Sequence, residues 1–123
     1  MLTVRQQRGQ RAEELAAEFL RTAGCEIVHC NYRRRAGELD IVARLSGVLV
    51  IAEVRTRAGS AYGGAAASVT RAKQRRITRA ASQLLQRSPD LARLPVRFDV
   101  LVVSDPCGAS PGIEWIQHAF EAC

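Results

Sequence analysis

Asp40 and Glu53 carry the most chemistry in their placement. Glu53 ends the apolar run "VLVIAE" (48–53) and Asp40 sits in "GELDIV"; between them Ser46-Gly47 suits a two-residue hairpin turn. If Leu45 pairs with Val48, partner numbers sum to 93 and Asp40 stands opposite Glu53, with side chains roughly 5 Å apart. Facing carboxylates repel, and a buried acid is costly unless something pairs with it. Two outcomes relieve the strain: one acid keeps a proton, or a cation sits between them. A divalent ion such as Mg²⁺, held by one or two carboxylates and its own waters, suits such a pair. The same register sets Glu38 opposite Arg55. This offers a competing reading, a cross-strand salt bridge on a solvated face with Asp40 neutralised by a nearby arginine. Glu53's place at the end of an apolar strand favours the first.

Two helices can bring further groups to these acids. The spacing predicts a helix over 6–23, with Ala12, Leu15, Ala16, Phe19, Leu20 and Ala23 on one stripe and Gly24 as its stop. Glu14 and Glu18 point away from that stripe, whereas Glu13 lies roughly 90° off it, on the flank bordering a sheet. A second helix is expected over 69–87, capped by Ser68 or Thr70, with Val69, Ile77, Ala80, Ala81 and Leu84 buried. Lys73 falls inside this stripe while Arg71, Arg75 and Arg79 lie outside it. Its ammonium either snorkels to water past the core edge or points at the carboxylates. The outer arginines form a solvated face that can also contact phosphate.

Strands must hold the acids. Strands are expected over 26–32, 38–45, 48–57 and 96–104, and "IEWIQHAF" (113–120) reads as a short strand or helix turn with Trp115 and Phe120 inward. In the second strand, alternation puts Leu39, Ile41, Ala43 and Leu45 on one face. The third, nearly continuous in apolar residues, is expected to be central and covered on both faces. "RRRAG" (33–37) reads as a basic turn, 58–68 as a Gly/Ala-rich loop without the Gly-Lys-Ser/Thr of a phosphate loop, and 88–95 as a surface connection. The order is α-β-β-β-α-β-β, a mixed α/β domain with helices flanking a central sheet.

The totals fit one globular domain of 123 residues with a net charge of +6. Of 18 Lys and Arg residues only Lys73 is lysine. Arginine binds phosphate through a planar fork, so a polyanionic partner is expected, although a high-GC genome would produce the same bias. No run approaches the roughly 18 apolar residues of a membrane helix, and the polar N-terminus is no secretory signal, so the cytoplasm is expected. Cys25, Cys30, Cys107 and Cys123 have no zinc-site spacing and read as free thiols. His29 and His118 are isolated, which argues against histidine-held metal.

"GELDIV" followed by "VIAEVRTR" resembles the paired motifs of the PD-(D/E)XK nuclease superfamily, an Asp on one strand and Glu-x-Lys on the next. With "AEELAA", "AYGGAAASVTRAKQ", "RFDV" and "EWIQHAF" in order, nearly the whole chain is similar to the YraN family of small uncharacterised bacterial proteins. The resemblance implies a restriction-endonuclease-like core, with Asp40 and Glu53 as Mg²⁺ or Mn²⁺ ligands and Glu13 as the helix acid. It also implies phosphodiester hydrolysis on nucleic acid, with branched or damaged DNA as the expected substrate. Arg55 stands where the superfamily has lysine. A guanidinium can stabilise phosphorane charge but cannot act as a base, so Lys73 becomes the candidate for a migrated lysine. Arg33, Arg34 and Arg35, with Arg57, Arg71 and Arg75, are the candidate nucleic-acid contacts. A homodimer would suit a two-stranded substrate. The alternative is a nucleic-acid-binding adaptor that keeps the fold without turnover.

Overall fold

The computed structural model describes residues 1–57 and 68–123; apart from Ser68, the loop expected over 58–68 lies outside the described residues. Helix α1 (Val4–Thr22) starts earlier than the apolar periodicity suggests. The reason is a reciprocal capping box, in which the Gln6 amide donates to Thr3 Oγ1 at 3.1 Å and the Thr3 amide to Gln6 Oε1 at 2.9 Å. Gly24, at φ 99°, turns the chain out of the helix.

Strands β1 (Glu26–Arg34), β2 (Gly37–Leu45) and β3 (Val48–Arg57) follow as an antiparallel meander. Ser46 and Gly47 both take positive φ, 50° and 79°, as the tight I′ hairpin turn demands. Leu45 pairs with Val48 and Ile41 with Ala52, the expected register. β1 runs further than expected, so Arg33 and Arg34 belong to a strand and the basic turn shrinks to Arg35-Ala36. Arg33 consequently pairs with Glu38, Nε to Oε2 at 3.2 Å. That corrects the Glu38–Arg55 bridge: Glu38 lies beyond the last β2–β3 pair, where β1 is the only strand left beside it.

Helix α2 (Arg71–Arg87) is capped by Thr70, whose hydroxyl accepts from the Lys73 amide at 3.2 Å. It carries the chain across to β4 (Val96–Ser104), which runs parallel to β3; parallel neighbours require such a crossover. A one-turn helix, α3 (Pro89–Ala92), occupies the surface connection. The last element, β5 (Gly112–Phe120), is a strand throughout, and the sheet order is β1-β2-β3-β4-β5.

The sheet is covered on both faces. On one, Ala12, Ala16 and Leu20 of α1 pack on Ile41, Val50, Ala52 and Leu101. On the other, Ile77, Ala80 and Leu84 of α2 pack on Val42, Leu49, Ile51 and Phe98. Trp115 meets Phe19 edge-on in the α1 layer, whereas Phe120 stacks on Phe98 in the α2 layer. One expectation fails in β2: Leu39 packs with Tyr32 and Val42 in the α2 layer, while Ile41, Ala43 and Leu45 pack under α1. This change of face coincides with the end of the β2–β3 ladder.

Candidate metal centre at the strand fork

Backbone pairing between β2 and β3 stops at Ile41–Ala52. Yet β2 stays paired to β1 as far as Gly37, and β3 to β4 as far as Arg57. Strands that keep their outer partners while losing each other form a fork, and Asp40 and Glu53 are the first residues past its apex. Main-chain groups freed there need new partners. The Val54 amide finds one in Asp40 Oδ2, at 2.9 Å.

Both acids are buried, Asp40 9% exposed and Glu53 7%, and their carboxyl groups share a hydrogen bond. Burial pushes Asp40 above the ordinary carboxylate range, while the hydrogen bond from Val54 and that from Glu53 hold it back. Glu53 is pushed up to about 8, first by burial and then by the negative charge of Asp40, against the pull of the Lys73 ammonium. Near neutral pH the pair therefore keeps one proton, which Glu53 donates to Asp40.

The two layers deliver the remaining groups. From α2, Lys73 Nζ lies 3.6 Å from Glu53 Oε1, so this lysine points inward at the acids. From α1, Glu13 is half-buried; burial raises it first, Asp40's charge second, and the Asn31 side chain counters with a hydrogen bond. Glu13 lines a cleft of about 770 Å³ together with Glu53 and Arg55, and a second of about 440 Å³ together with Asp40. Arg55, two residues along β3 from Glu53, adds a positive charge that favours the Glu53 carboxylate.

The other arginines are less free than the sequence suggests. Arg33 is engaged by Glu38, and the Arg34 guanidinium lies 4.5 Å over the Tyr32 ring. Arg57 donates from Nε to Ser104 Oγ at 2.8 Å and reaches Glu114 at 4.0 Å, which turns it toward β4 and β5. Arg35, Arg71 and Arg75 are exposed.

Asp99 was not legible as a key residue from spacing alone. It is fully buried and accepts four hydrogen bonds: from Arg97 Nε and Nη2 and from Trp115 Nε1, each at 2.8 Å, and from the His118 amide at 2.9 Å. Every lone-pair direction is used, which makes it a structural anchor that clamps β5 to β4. The available signal was an acid inside the apolar run "FDVLVV", the same oddity that marks Glu53.

A divalent cation fits this donor set. Burial and the mutual repulsion of the two carboxylates favour the retained proton, and a hard cation between them would relieve the same repulsion. Among the described residues no three His, Cys, Asp or Glu side chains converge on one point.

A five-stranded mixed sheet between two helical layers, with an acid pair at a strand fork, is consistent with the restriction-endonuclease-like class of fold. Within that class, the chain belongs to the uncharacterised protein family UPF0102, whose model matches residues 12–103. This is the YraN relationship expected from the motifs. The chain is similar to a UPF0102 protein of Alkalilimnicola ehrlichii, 46% identical over 93% of this chain and 86% of the relative. It is 48% identical to one of Cupriavidus taiwanensis over 96% and 86%. A third, from Xanthomonas euvesicatoria, is 44% identical over 99% and 98%.

Proposed function

We propose that this protein is a Mg²⁺- or Mn²⁺-dependent endonuclease that hydrolyses phosphodiester bonds in branched or damaged DNA. The observation that supports this most is the buried, hydrogen-bonded Asp40–Glu53 pair with the Lys73 ammonium 3.6 Å from Glu53. Asp40 and Glu53 would hold the ion once the shared proton leaves. Bound there, the ion would acidify water and offset charge on a scissile phosphate.

The chain's own residues divide the remaining work. Val54 orients Asp40 through the main chain, and Lys73 lies beside Glu53 with its ammonium toward the acids. Arg55 binds phosphate without exchanging a proton. Glu13, raised and half-buried at the cleft wall, is placed to hold water or accept its proton. The net charge of +6 suits a polyanionic partner. No helix among the described residues is long and apolar enough to cross a membrane. We place the protein in the cytoplasm, where a twofold homodimer would offer two such sites to a two-stranded substrate.

Arg55 at the motif lysine position favours a second reading, a nucleic-acid-binding adaptor without turnover. One assay separates them: branched, nicked and single-stranded DNA and RNA are incubated with the protein in Mg²⁺ and in Mn²⁺, beside Asp40→Ala and Glu53→Ala. Cleavage abolished by both substitutions supports the nuclease. Tight binding without cleavage supports the adaptor, and cleavage surviving both substitutions assigns the activity elsewhere.

A further inference from the structure

The cleft of about 770 Å³ that contains Glu53 and Arg55 has a wall that the motifs do not mark. Its other side is the start of α1, where Arg5, Arg8 and Gly9 face the end of β3. Arg5 and Arg8 are three residues apart, so they share one helix face and lie on the approach to Glu13, which lines the same cleft. Among the described residues neither is held in an ion pair, in contrast to Arg33 and Arg57. Arg5 is exposed and Arg8 half-exposed. The cleft thus carries three unpaired guanidinium groups, Arg5, Arg8 and Arg55, around an acid floor.

We propose that Arg5 and Arg8, together with Arg55, grip the phosphates of a single nucleic-acid strand drawn into this cleft, so that α1, not the β1–β2 tip, is the backbone-binding wall of the site. This rests on the nucleic-acid reading above and adds where the strand runs and in what form. The volume is that of a small-molecule pocket, enough for a short stretch of one strand. A basic groove tracking the backbone is how single strands are held, commonly with aromatic platforms beneath the bases. The described lining residues include no aromatic side chain and no Asn or Gln. The grip is therefore on phosphate alone, indifferent to sequence and sensitive to salt.

The test is fluorescence anisotropy of a labelled single-stranded oligonucleotide with the full chain in EDTA, titrated over a range of salt. Compared are wild type, R5A, R8A, R5A/R8A, R5K/R8K and R33A/R34A/R35A. The double alanine variant is expected to bind at least about tenfold more weakly, and its log–log salt slope should fall by about 0.7 for each lost phosphate contact. R5K/R8K should recover most of the affinity, because it restores the charge, and a change of fold would not be rescued this way. Arg5 is exposed on the first helical turn, so R5A alone keeps the test valid if the double variant melts early. The clamp is overturned if wild type binds and R5A/R8A binds equally well with the same slope, or if the triple variant takes the whole loss. A labelled branched duplex is titrated beside the single strand: a wild type that binds only the branched duplex overturns the clamp alone, and one that binds neither overturns the function reading as well.

Discussion

The main chain of Val54 donates its N–H to the Asp40 carboxylate at the apex of the fork, where β2 and β3 stop pairing. A side-chain oxygen stands in for a strand carbonyl, so the strand that carries Glu53 also sets the position of Asp40. The two acids are therefore located relative to each other by backbone and not by two independent rotamers.

Asp40→Asn keeps the shape of that acceptor and removes its charge. Asp40's charge is the second largest cause of the raised Glu53 pKa, after burial. Glu53 should then titrate below about 8, by carboxyl NMR, although burial keeps it above its ordinary 4.5. In Asp40→Ala the Val54 amide loses its acceptor and should exchange its proton faster. A Glu53 titration that does not move would mean burial alone raises it.

Stability should decline with pH through this pair. Because the folded-state pKa of Glu53 is raised, the folded protein binds more protons than the unfolded chain between 4.5 and about 8. Its contribution is fully present below 4.5 and is lost as pH rises through about 8. Urea denaturation across that window should show the slope in wild type and a flatter one in Glu53→Gln.

Mg²⁺ should oppose that decline. Binding requires the shared proton to leave, so the thermal shift on adding Mg²⁺ should be larger above about 8 than near 4.5. At a hundredfold excess over Kd the gain would be about 2.7 kcal/mol. Neither Asp40→Ala nor Glu53→Ala should show it in differential scanning calorimetry, and proton release on binding should be visible by calorimetry in buffers of different ionisation enthalpy.

Lys73→Met removes the cation next to Glu53. The Glu53 titration should move above about 8, since Lys73 is the largest influence holding it down. If the protein cleaves DNA, turnover should fall by about 10²–10³, the usual loss when one stabilising donor is removed from an active site. Lys73→Arg should restore the Glu53 titration more fully than turnover, because the charge returns with a different reach.

Asp99→Ala tests the anchor away from the fork. It strips partners from Arg97, Trp115 and the His118 amide together. Breaking one partner of a buried pair costs about 3–5 kcal/mol, a loss readable by chemical denaturation. Trp115 fluorescence should change in the same variant, while the Glu53 titration stays where it is.

Much of the fold follows from local pattern. Element order came from periodicity and caps, and the Ser46-Gly47 turn set the β2–β3 register, because a two-residue turn leaves no freedom in pairing. That register, with the apolar run ending at Glu53, brought Asp40 and Glu53 together one residue past the last paired position, Ile41–Ala52. Lys73's place on the buried stripe of α2 left its ammonium two directions, and the structure turns it to Glu53.

Only the tertiary structure decided the rest, because each remaining feature depends on a third element. Glu38 chose Arg33 over Arg55 because β1 is its remaining neighbour past the fork. Leu39 left the face of Ile41 where the β2–β3 ladder ends. Glu13, Arg5 and Arg8 met the end of β3 because α1 lies across the sheet, a long-range packing that no local spacing encodes. Arg97 of β4 and Trp115 and His118 of β5 met on Asp99 for the same reason. Local physics placed the two acids opposite each other; the parting of the strands and the closing of both helical layers turned them into a buried, proton-sharing site.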